Sequence, residues 1–461
     1  MSTQDGGGGP PLSCLSLAKL REREFGRLDA RDEVYLDYTG SALPFDSHVQ
    51  WHLTLLRSEV FGNPHSESPA SLASSRWTDA ATVAVLAFVD ADPAEYDVVF
   101  TANASAAAKL VGESFPFERR SRLVLAADNH NSVLGMREFA RAACATVAYL
   151  PLGPGLRLRD AQPVLAAASP RHPSLFAFPA QSNFSGVRHP LALVRLARSR
   201  GYMVLLDAAA FVPTAVLSLR EVPADFVTLS LYKVLGYPTG VGALVARRES
   251  LGRLRRPWFS GGTVEFVSVQ NDLHQLRRGA EGFHDGTPNF LALSAIPRGL
   301  ALIADIGVPR IGAHVRRMTE ALMAGLRALH HRNGRPMVTI YGPVDGVARG
   351  GTIAFNLQDE RGARIHHAAV EARAAAYRVS VRSGCFCNPG ASEHAFGFKA
   401  ARVAACLSAS CRPERDPSLS REDFERCMGD TPAGAVRVSP GVATSERDIA
   451  RLLEALEEWR R

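Results

Sequence analysis

Short apolar runs alternating with segments of helical period dominate the middle of the chain. Six of them, V-V-F-T-A, R-L-V-L-A-A, L-F-A-F-P-A, M-V-L-L-D-A, F-V-T-L-S-L and V-G-A-L-V-A, fall between about residues 97 and 247. Each is of strand length, and most are separated by helix-length segments, the pattern of an α/β fold with a mainly parallel sheet. In such sheets ligands sit beyond the carboxyl ends of the strands. Ser105, His130, Asn183, Asp207 and Lys233 all fall there on this reading. After about residue 309 the period changes to a long helix, the strands V-T-I-Y-G and G-T-I-A-F-N-L, another helix and a final strand–helix pair. That order predicts a smaller α+β domain. The predicted organisation is a flexible tail over residues 1–30, a large domain over 31–307 and a small C-terminal domain over 308–461. Glycine-rich turns over 257–292 join the two, and residues 402–431 read as a surface insertion.

No apolar run reaches the roughly 18 residues that would cross a bilayer. The opening M-S-T-Q-D-G-G-G-G-P-P lacks the cationic-then-apolar order of a secretory leader. A cytoplasmic location without a membrane partner is the default expectation. The formal net charge of +7 comes largely from scattered arginines such as Arg253, Arg255 and Arg256. Nucleic-acid binding would need a concentrated basic stripe with interleaved aromatics, so it is not expected. Seven cysteines, an odd number, suggest no disulfide framework and a reducing compartment.

Candidate chemistry begins at S-L-Y-K-V-L-G-Y-P-T-G-V-G-A-L, residues 230–244, which sets Lys233 between an apolar strand and a glycine-rich turn. Desolvation there lowers an amine's pKa and makes it a nucleophile toward an aldehyde. The same position suits a surface lysine at a strand end. Asp207 closes the strand M-V-L-L-D, where a carboxylate pairs with a protonated ring nitrogen or caps a helix. In V-V-F-T-A-N-A-S, Thr101, Asn103 and Ser105 stand at the start of a helix-forming alanine run. Free N–H groups and a positive dipole end make that a phosphate seat, and capping explains the same residues. The segment R-S-G-C-F-C-N-P-G, residues 382–390, has two cysteines one residue apart, half of a zinc site at most. Cys406 with Cys411 is a poor second half, so no metal is assigned.

Taken together, A-N-A-S, D-N-H-N-S-V, A-Q-S-N-F-S-G, L-L-D-A-A, S-L-Y-K and R-S-G-C-F-C-N-P-G, with Y-L-D-Y-T-G-S-A-L at 35–43 and F-G-N-P-H-S at 61–66, resemble the class V aminotransferase superfamily. The likeness is to its cysteine desulfurase branch, most of all to the N-terminal desulfurase domain of molybdenum cofactor sulfurases. It runs from about Tyr35 to the C-terminus. The further C-terminal domain of those sulfurases is not expected in this chain.

The resemblance implies a pyridoxal 5'-phosphate (PLP)-dependent transferase of fold type I. Lys233 would then carry the cofactor and Asp207 would pair with its pyridine nitrogen. His130 would stack on the ring and shuttle protons. Asn183 would lie beside the phenolic oxygen and the substrate. Ser105, Ser230 and the backbone around Ala104 would hold the phosphate, with Tyr232 where many desulfurases carry histidine. Thr287 would reach the phosphate of a neighbouring subunit, which requires a homodimer. Ala210 stands where many desulfurases have glutamine or histidine, leaving Asn183 as the main side-chain donor. Arg437, in G-A-V-R-V-S, would grip the α-carboxylate of L-cysteine.

Cys387 would attack the substrate sulfur and leave as a persulfide for an unidentified acceptor, protein or small molecule. Arg382 or the cofactor's surroundings would favour its thiolate, and Cys385 would relay or resolve the persulfide. The implied activity is a cysteine desulfurase forming L-alanine. The alternative is a PLP-dependent C–S lyase or aminotransferase acting on a sulfur-containing intermediate, for which Cys387 would be dispensable and Lys233 essential.

Overall fold

The apolar runs assemble into one seven-stranded sheet in the computed structural model, which describes residues 10–169, 171–410, 420–429 and 433–460. In chain order the strands are β1 (Tyr96–Thr101), β2 (Arg122–Ala126), β3 (Thr146–Leu150), β4 (Leu175–Pro179), β5 (Met203–Asp207), β6 (Phe226–Ser230) and β7 (Gly242–Arg247). Across the sheet they run β1-β7-β6-β5-β4-β2-β3. Strand β7 is antiparallel to both neighbours and the other adjacent pairs are parallel. The sheet is mainly parallel, as expected. Strand β3 was not foreseen. It lies at the edge, most of its residues keep some exposure, and T-V-A-Y-L lacks an unbroken apolar run.

Strands β4 and β6 are buried along their whole length. Their alternate residues feed two apolar layers, one around Val124, Phe176, Val204 and Val227, the other around Leu123, Leu125, Leu175 and Leu205. Helix α1 (Ala104–Ser114) covers the second layer with Ala107, Leu110 and Val111. Because six strands point the same way, the turns after Thr101, Ala126, Pro179, Asp207 and Ser230 gather along one edge.

Beyond the helix Val308–Ala328 lies a four-stranded antiparallel sheet: β8 (Val338–Tyr341), β9 (Ile353–Leu357), β10 (Arg382–Gly384) and β11 (Ala435–Val438), in the order β8-β9-β11-β10. Its core joins Leu322, Phe355, Val436 and Leu452. Val34–Tyr35 pairs in parallel with Val379–Ser380, and Asp37 bridges to Ser439. The segment expected to open the large domain thus belongs, at residues 34–37, to the C-terminal sheet region.

Three further expectations need correction. Residues 12–30 are not a flexible tail: Leu12–Cys14, Leu17–Phe25 and Arg27–Ala30 are helical, and Leu20 and Phe25 are fully buried. Ser16 caps the longest of these helices, and Asp305 accepts from Leu12 N (2.7 Å) and Ser13 Oγ (2.8 Å). Residues 1–9 lie outside the described residues. Within 257–292, Val264–Ser268 and Leu273–Leu276 form an antiparallel hairpin rather than turns alone. In the expected insertion, the helices Ala400–Ser410 and Arg421–Cys427 pack together and bring Cys406 and Cys427 to a Cα separation of 5.8 Å, where they form a disulfide. Cys14, Cys144, Cys385 and Cys387 are free, and Cys411 lies outside the described residues. Among the described residues no single helix is long and apolar enough to cross a membrane.

Candidate active site

The turns at the carboxyl edge of the large sheet enclose a cavity of about 470 Å³ lined by Ala104, Ser105, His130, Asn183, Asp207, Ser230, Tyr232 and Lys233, every one a residue singled out in the sequence. Lys233 stands on the one-turn helix Leu231–Leu235 that follows β6. This helix ends at Gly236 with φ 72°, and a Cβ there would lie 2.2 Å from the backbone carbon of Leu43, so only glycine fits. Among the described residues the Lys233 amine has no hydrogen-bond partner. Burial pushes its pKa down, and Asp207 opposes the shift.

Asp207 ends β5, and register places Thr228 of β6 directly across from it. Its Oδ1 accepts from Thr228 Oγ1 (3.0 Å) and Ala209 N (3.1 Å). This fixes the carboxylate and leaves Oδ2 for a cationic partner in the cavity. At the start of α1 the side chain of Asn103 accepts from Ala106 N (2.9 Å), while the first N–H groups, those of Ala104 and Ser105, stay available to an anion. Ser105 Oγ is 2.5 Å from Ser132 Oγ, which is 2.9 Å from His130 Nδ1. Ser132 also gives its backbone N–H to that nitrogen (3.1 Å), so the neutral ring carries its proton on Nε2. Burial lowers the His130 pKa, with Asp207 acting against it. The imidazole is therefore mostly neutral near pH 7.

A second group of residues, from the C-terminal sheet region, stands near enough to Lys233 to act on its charge. Register sets Arg382 of β10 opposite Arg437 of β11, and like charges so placed repel. Asp37 lies between them. Its Oδ1 accepts from Arg437 Nη2 (2.8 Å), and its Oδ2 from Arg382 Nε (2.9 Å) and Nη2 (2.7 Å). Arg437 is 3% exposed, and burial pulls its pKa down. Its Nη1 donates to Asn183 O (3.2 Å), and its buried Nε has no partner. That leaves a buried cationic donor unpartnered. Arg382, expected to favour a Cys387 thiolate, is instead engaged by Asp37.

The cysteine loop is hydrogen-bonded to the same region. Phe386 and Cys387 have φ of 55° and 54°, two consecutive side-chain-bearing residues in the left-handed region. Cys387 is exposed, and its carbonyl accepts from Asn131 N (2.7 Å), next to His130. Asn183 does more than the sequence suggested: its Nδ2 donates to Phe386 O (2.7 Å) and its Oδ1 accepts from Asn388 Nδ2 (2.9 Å). Among the described residues Cys385 and Cys387 meet no further cysteine or histidine ligand set. The three-residue group with metal-ligand spacing among the described residues, His366, His367 and Glu425, contains neither.

Thr287 does not line the cavity of its own chain. It is exposed, 3.5 Å from Asn63 Nδ2. Sequence reasoning missed Asp37, Thr228, Ser132 and Asn388. Of these, Asp37, Ser132 and Asn388 stood inside quoted motifs, and Thr228 inside a quoted apolar run.

The donor set fits PLP: an unpartnered buried-side amine, a fixed carboxylate at a strand end, and open N–H groups beside two serines, all around one cavity. The comparisons agree. The model of the family described as aminotransferase class-V matches residues 34–452. The chain is 33% identical to a molybdenum cofactor sulfurase of Arabidopsis thaliana over 97% of this chain and 58% of that one. It is 34% identical to the Bos taurus protein of the same name over 95% of this chain and 51% of that one. The chain thus spans only a little over half the length of these curated relatives. Among solved structures, an apo cysteine desulfurase from Thermococcus onnurineus NA1 superposes with a TM-score of 0.77 at 23% identity, covering 95% of this chain and 97% of that one. A cysteine desulfurase from Escherichia coli gives 0.74 at 21%, covering 96% and 98%. The fold is that of the PLP-dependent transferases of fold type I, and PLP is the family's cofactor. With a matched region that takes in both sheets and every residue of the cavity, this chain belongs to the class-V aminotransferase family.

Proposed function

We propose that the chain is a PLP-dependent cysteine desulfurase, which takes sulfur from L-cysteine, leaves L-alanine and carries the sulfur as a persulfide on Cys387 to an acceptor. One observation carries this reading: the loop bearing an exposed Cys387 is hydrogen-bonded, through Asn183 and Asn131, to the cavity that holds Lys233, Asp207 and His130. Bound PLP would be held by Lys233, Asp207, Ser105, Ser230 and the N–H groups of Ala104 and Ser105, and supplies an electron sink for bonds broken at the amino acid's α and β carbons. Arg437 binds the α-carboxylate through its open Nε and remaining N–H groups. Lys233, its pKa lowered by burial, accepts and returns protons at the amino acid. His130, lining the cavity, holds a proton on Nε2. Cys387 forms the new S–S bond as the substrate Cβ–S bond breaks. The bonding pair stays with carbon, which is protonated to give alanine.

Supporting a homodimer, the hairpin Val264–Ser268/Leu273–Leu276 exposes Phe266 (66%), Val269 (90%) and Leu273 (64%). Apolar surface of that kind on a two-stranded ribbon is best covered by a second copy, whose phosphate seat Thr287 would then complete. The names of the relatives make molybdenum cofactor the first acceptor to try.

The test is the absorbance of the purified, PLP-loaded protein followed by L-cysteine addition, with alanine and sulfide quantified beside Cys387→Ala. Alanine from the wild type alone is the expected result. Pyruvate in place of alanine, formed equally by Cys387→Ala, would make the protein a C–S lyase.

A further inference from the structure

The loop that carries Cys387 holds an unfavourable backbone, and the structure shows what keeps it there. Gly384 at φ 119° leads into Phe386 and Cys387, both left-handed. L-residues persist in that region only where their surroundings over-determine them. Asn388 follows directly, and it is fully buried. Its Oδ1 accepts from Ala391 N (3.1 Å) and so caps the helix Pro389–Phe396, which we label α2. Capping needs only an acceptor, and serine, threonine or aspartate would serve. Asn388 spends both amide protons elsewhere: Nδ2 donates to Asp128 O (2.8 Å) and to Asn183 Oδ1 (2.9 Å). Its backbone N–H donates to Cys385 O (3.0 Å), closing the turn over Phe386 and Cys387.

Both anchors are themselves fixed. Asp128 is fully buried, lies two residues before His130, and meets His189 Nε2 with both carboxylate oxygens at 3.1 Å. Asn183 holds Phe386 O and, through its own carbonyl, Arg437. A single buried amide therefore joins the cysteine loop, the turn carrying His130 and the asparagine beside the carboxylate-binding arginine. Cap chemistry alone accounts for one of its three side-chain bonds.

We propose that Asn388 is a positioning residue: it fastens the strained Cys387 loop to the cavity so that the thiol stays at the substrate, and breaking its two donor bonds frees the loop. This rests on the desulfurase reading for its catalytic consequence, though the fastening itself does not.

The test uses the PLP-loaded protein and two variants. Asn388→Asp keeps the cap acceptor, removes both donors and sets a carboxylate against the Asp128 and Asn183 oxygens. Asn388→Ser keeps a cap without the reach, and it carries the comparison where the aspartate variant fails to fold. Amide exchange in peptides covering 382–392 and 128–134 should quicken by about tenfold or more, since buried carbonyls lose their donor. Cofactor absorbance should stay at the wild-type level. Alanine formation should lose about tenfold or more in kcat with KM within about threefold, the pattern of a lost transition-state arrangement rather than lost binding. Unchanged exchange in both variants would overturn the proposal and leave Asn388 a helix cap. A wild type that makes no alanine would sink the desulfurase reading, while the exchange data would still decide the fastening.

Discussion

Asp37 carries two opposed tasks in one carboxylate. It neutralises two arginines that β-sheet register forces together, and it leaves the Arg437 Nε unpartnered. Its hydrogen bond raises the Arg382 pKa, whereas burial lowers that of Arg437, so the buried member depends on it more. Asp37→Asn keeps the shape and removes the charge, leaving a buried guanidinium without an anion. Denaturant unfolding should show a loss of about 3 kcal/mol, the usual cost of removing one partner of a buried pair. L-alanine, bringing its own carboxylate, should restore more stability to the variant than to the wild type. Equal effects of L-alanine on both proteins would place the amino acid away from Arg437. Lys233→Ala gives a second residue-scale expectation. The protein should fold, bind PLP weakly, and lose it on dialysis with its visible absorbance, whereas the wild type keeps both; a variant that retains the cofactor as tightly would take the anchor role from Lys233.

At the scale of elements, the phosphate seat depends on how closely β7 approaches the start of α1. A Cβ on Gly242 would lie 2.4 Å from the backbone carbon of Asn103 and 2.8 Å from Ala104 N. Gly242→Ala must therefore push the helix start away from the sheet edge. Overpacking of this kind costs about 1–3 kcal/mol, and here the displaced groups are the anion donors. PLP affinity, measured by equilibrium dialysis, should fall by about tenfold or more, an effect on binding that a substitution merely destabilising the sheet would not produce. The strand ends that make this seat were readable in the sequence because each is a local event: an apolar run, a turn, a functional side chain. Thr228 was not, since its role depends on register with Asp207 across two strands. Asp37 was hidden for the same reason on a longer scale, with partners 345 and 400 residues away. The hairpin at 264–276 escaped notice because its apolar residues point outward, and periodicity reports burial only where a core exists to receive it. The helices of residues 12–30 were masked by the glycine and proline that precede them.

Acid sensitivity belongs to the whole molecule, because five histidines with lowered pKa values are spread across it. His48, His52, His130, His284 and His314 are all shifted down from 6.5 mainly by burial. Several tie distant segments: His48 Nε2 is 2.8 Å from Ala295 O, and His314 Nε2 is 2.9 Å from Thr444 O, which links the helix Val308–Ala328 to the C-terminal segment. In the unfolded chain these rings titrate near their ordinary value. Between that value and the lower folded one, the unfolded state binds more protons, so stability rises with pH and is lost as pH falls below about 6.5. Each ring contributes a slope of at most about 1.4 kcal/mol per pH unit within its own window. Glu393, pushed up by burial, works in the opposite sense but exchanges only one proton. The carboxylates with lowered values, such as Asp29 and Asp92, lose their contribution only at more acid pH, below 3.8. The denaturation midpoint of the apoprotein should therefore fall steadily as the pH drops from about 6.5 toward about 5.5. His314→Gln, which keeps a donor for Thr444 O and cannot be protonated, should flatten that fall. A midpoint constant down to pH 5.5 would mean that the buried rings take up protons as readily as the unfolded chain does, and that their hydrogen bonds to backbone carbonyls outweigh the desolvation.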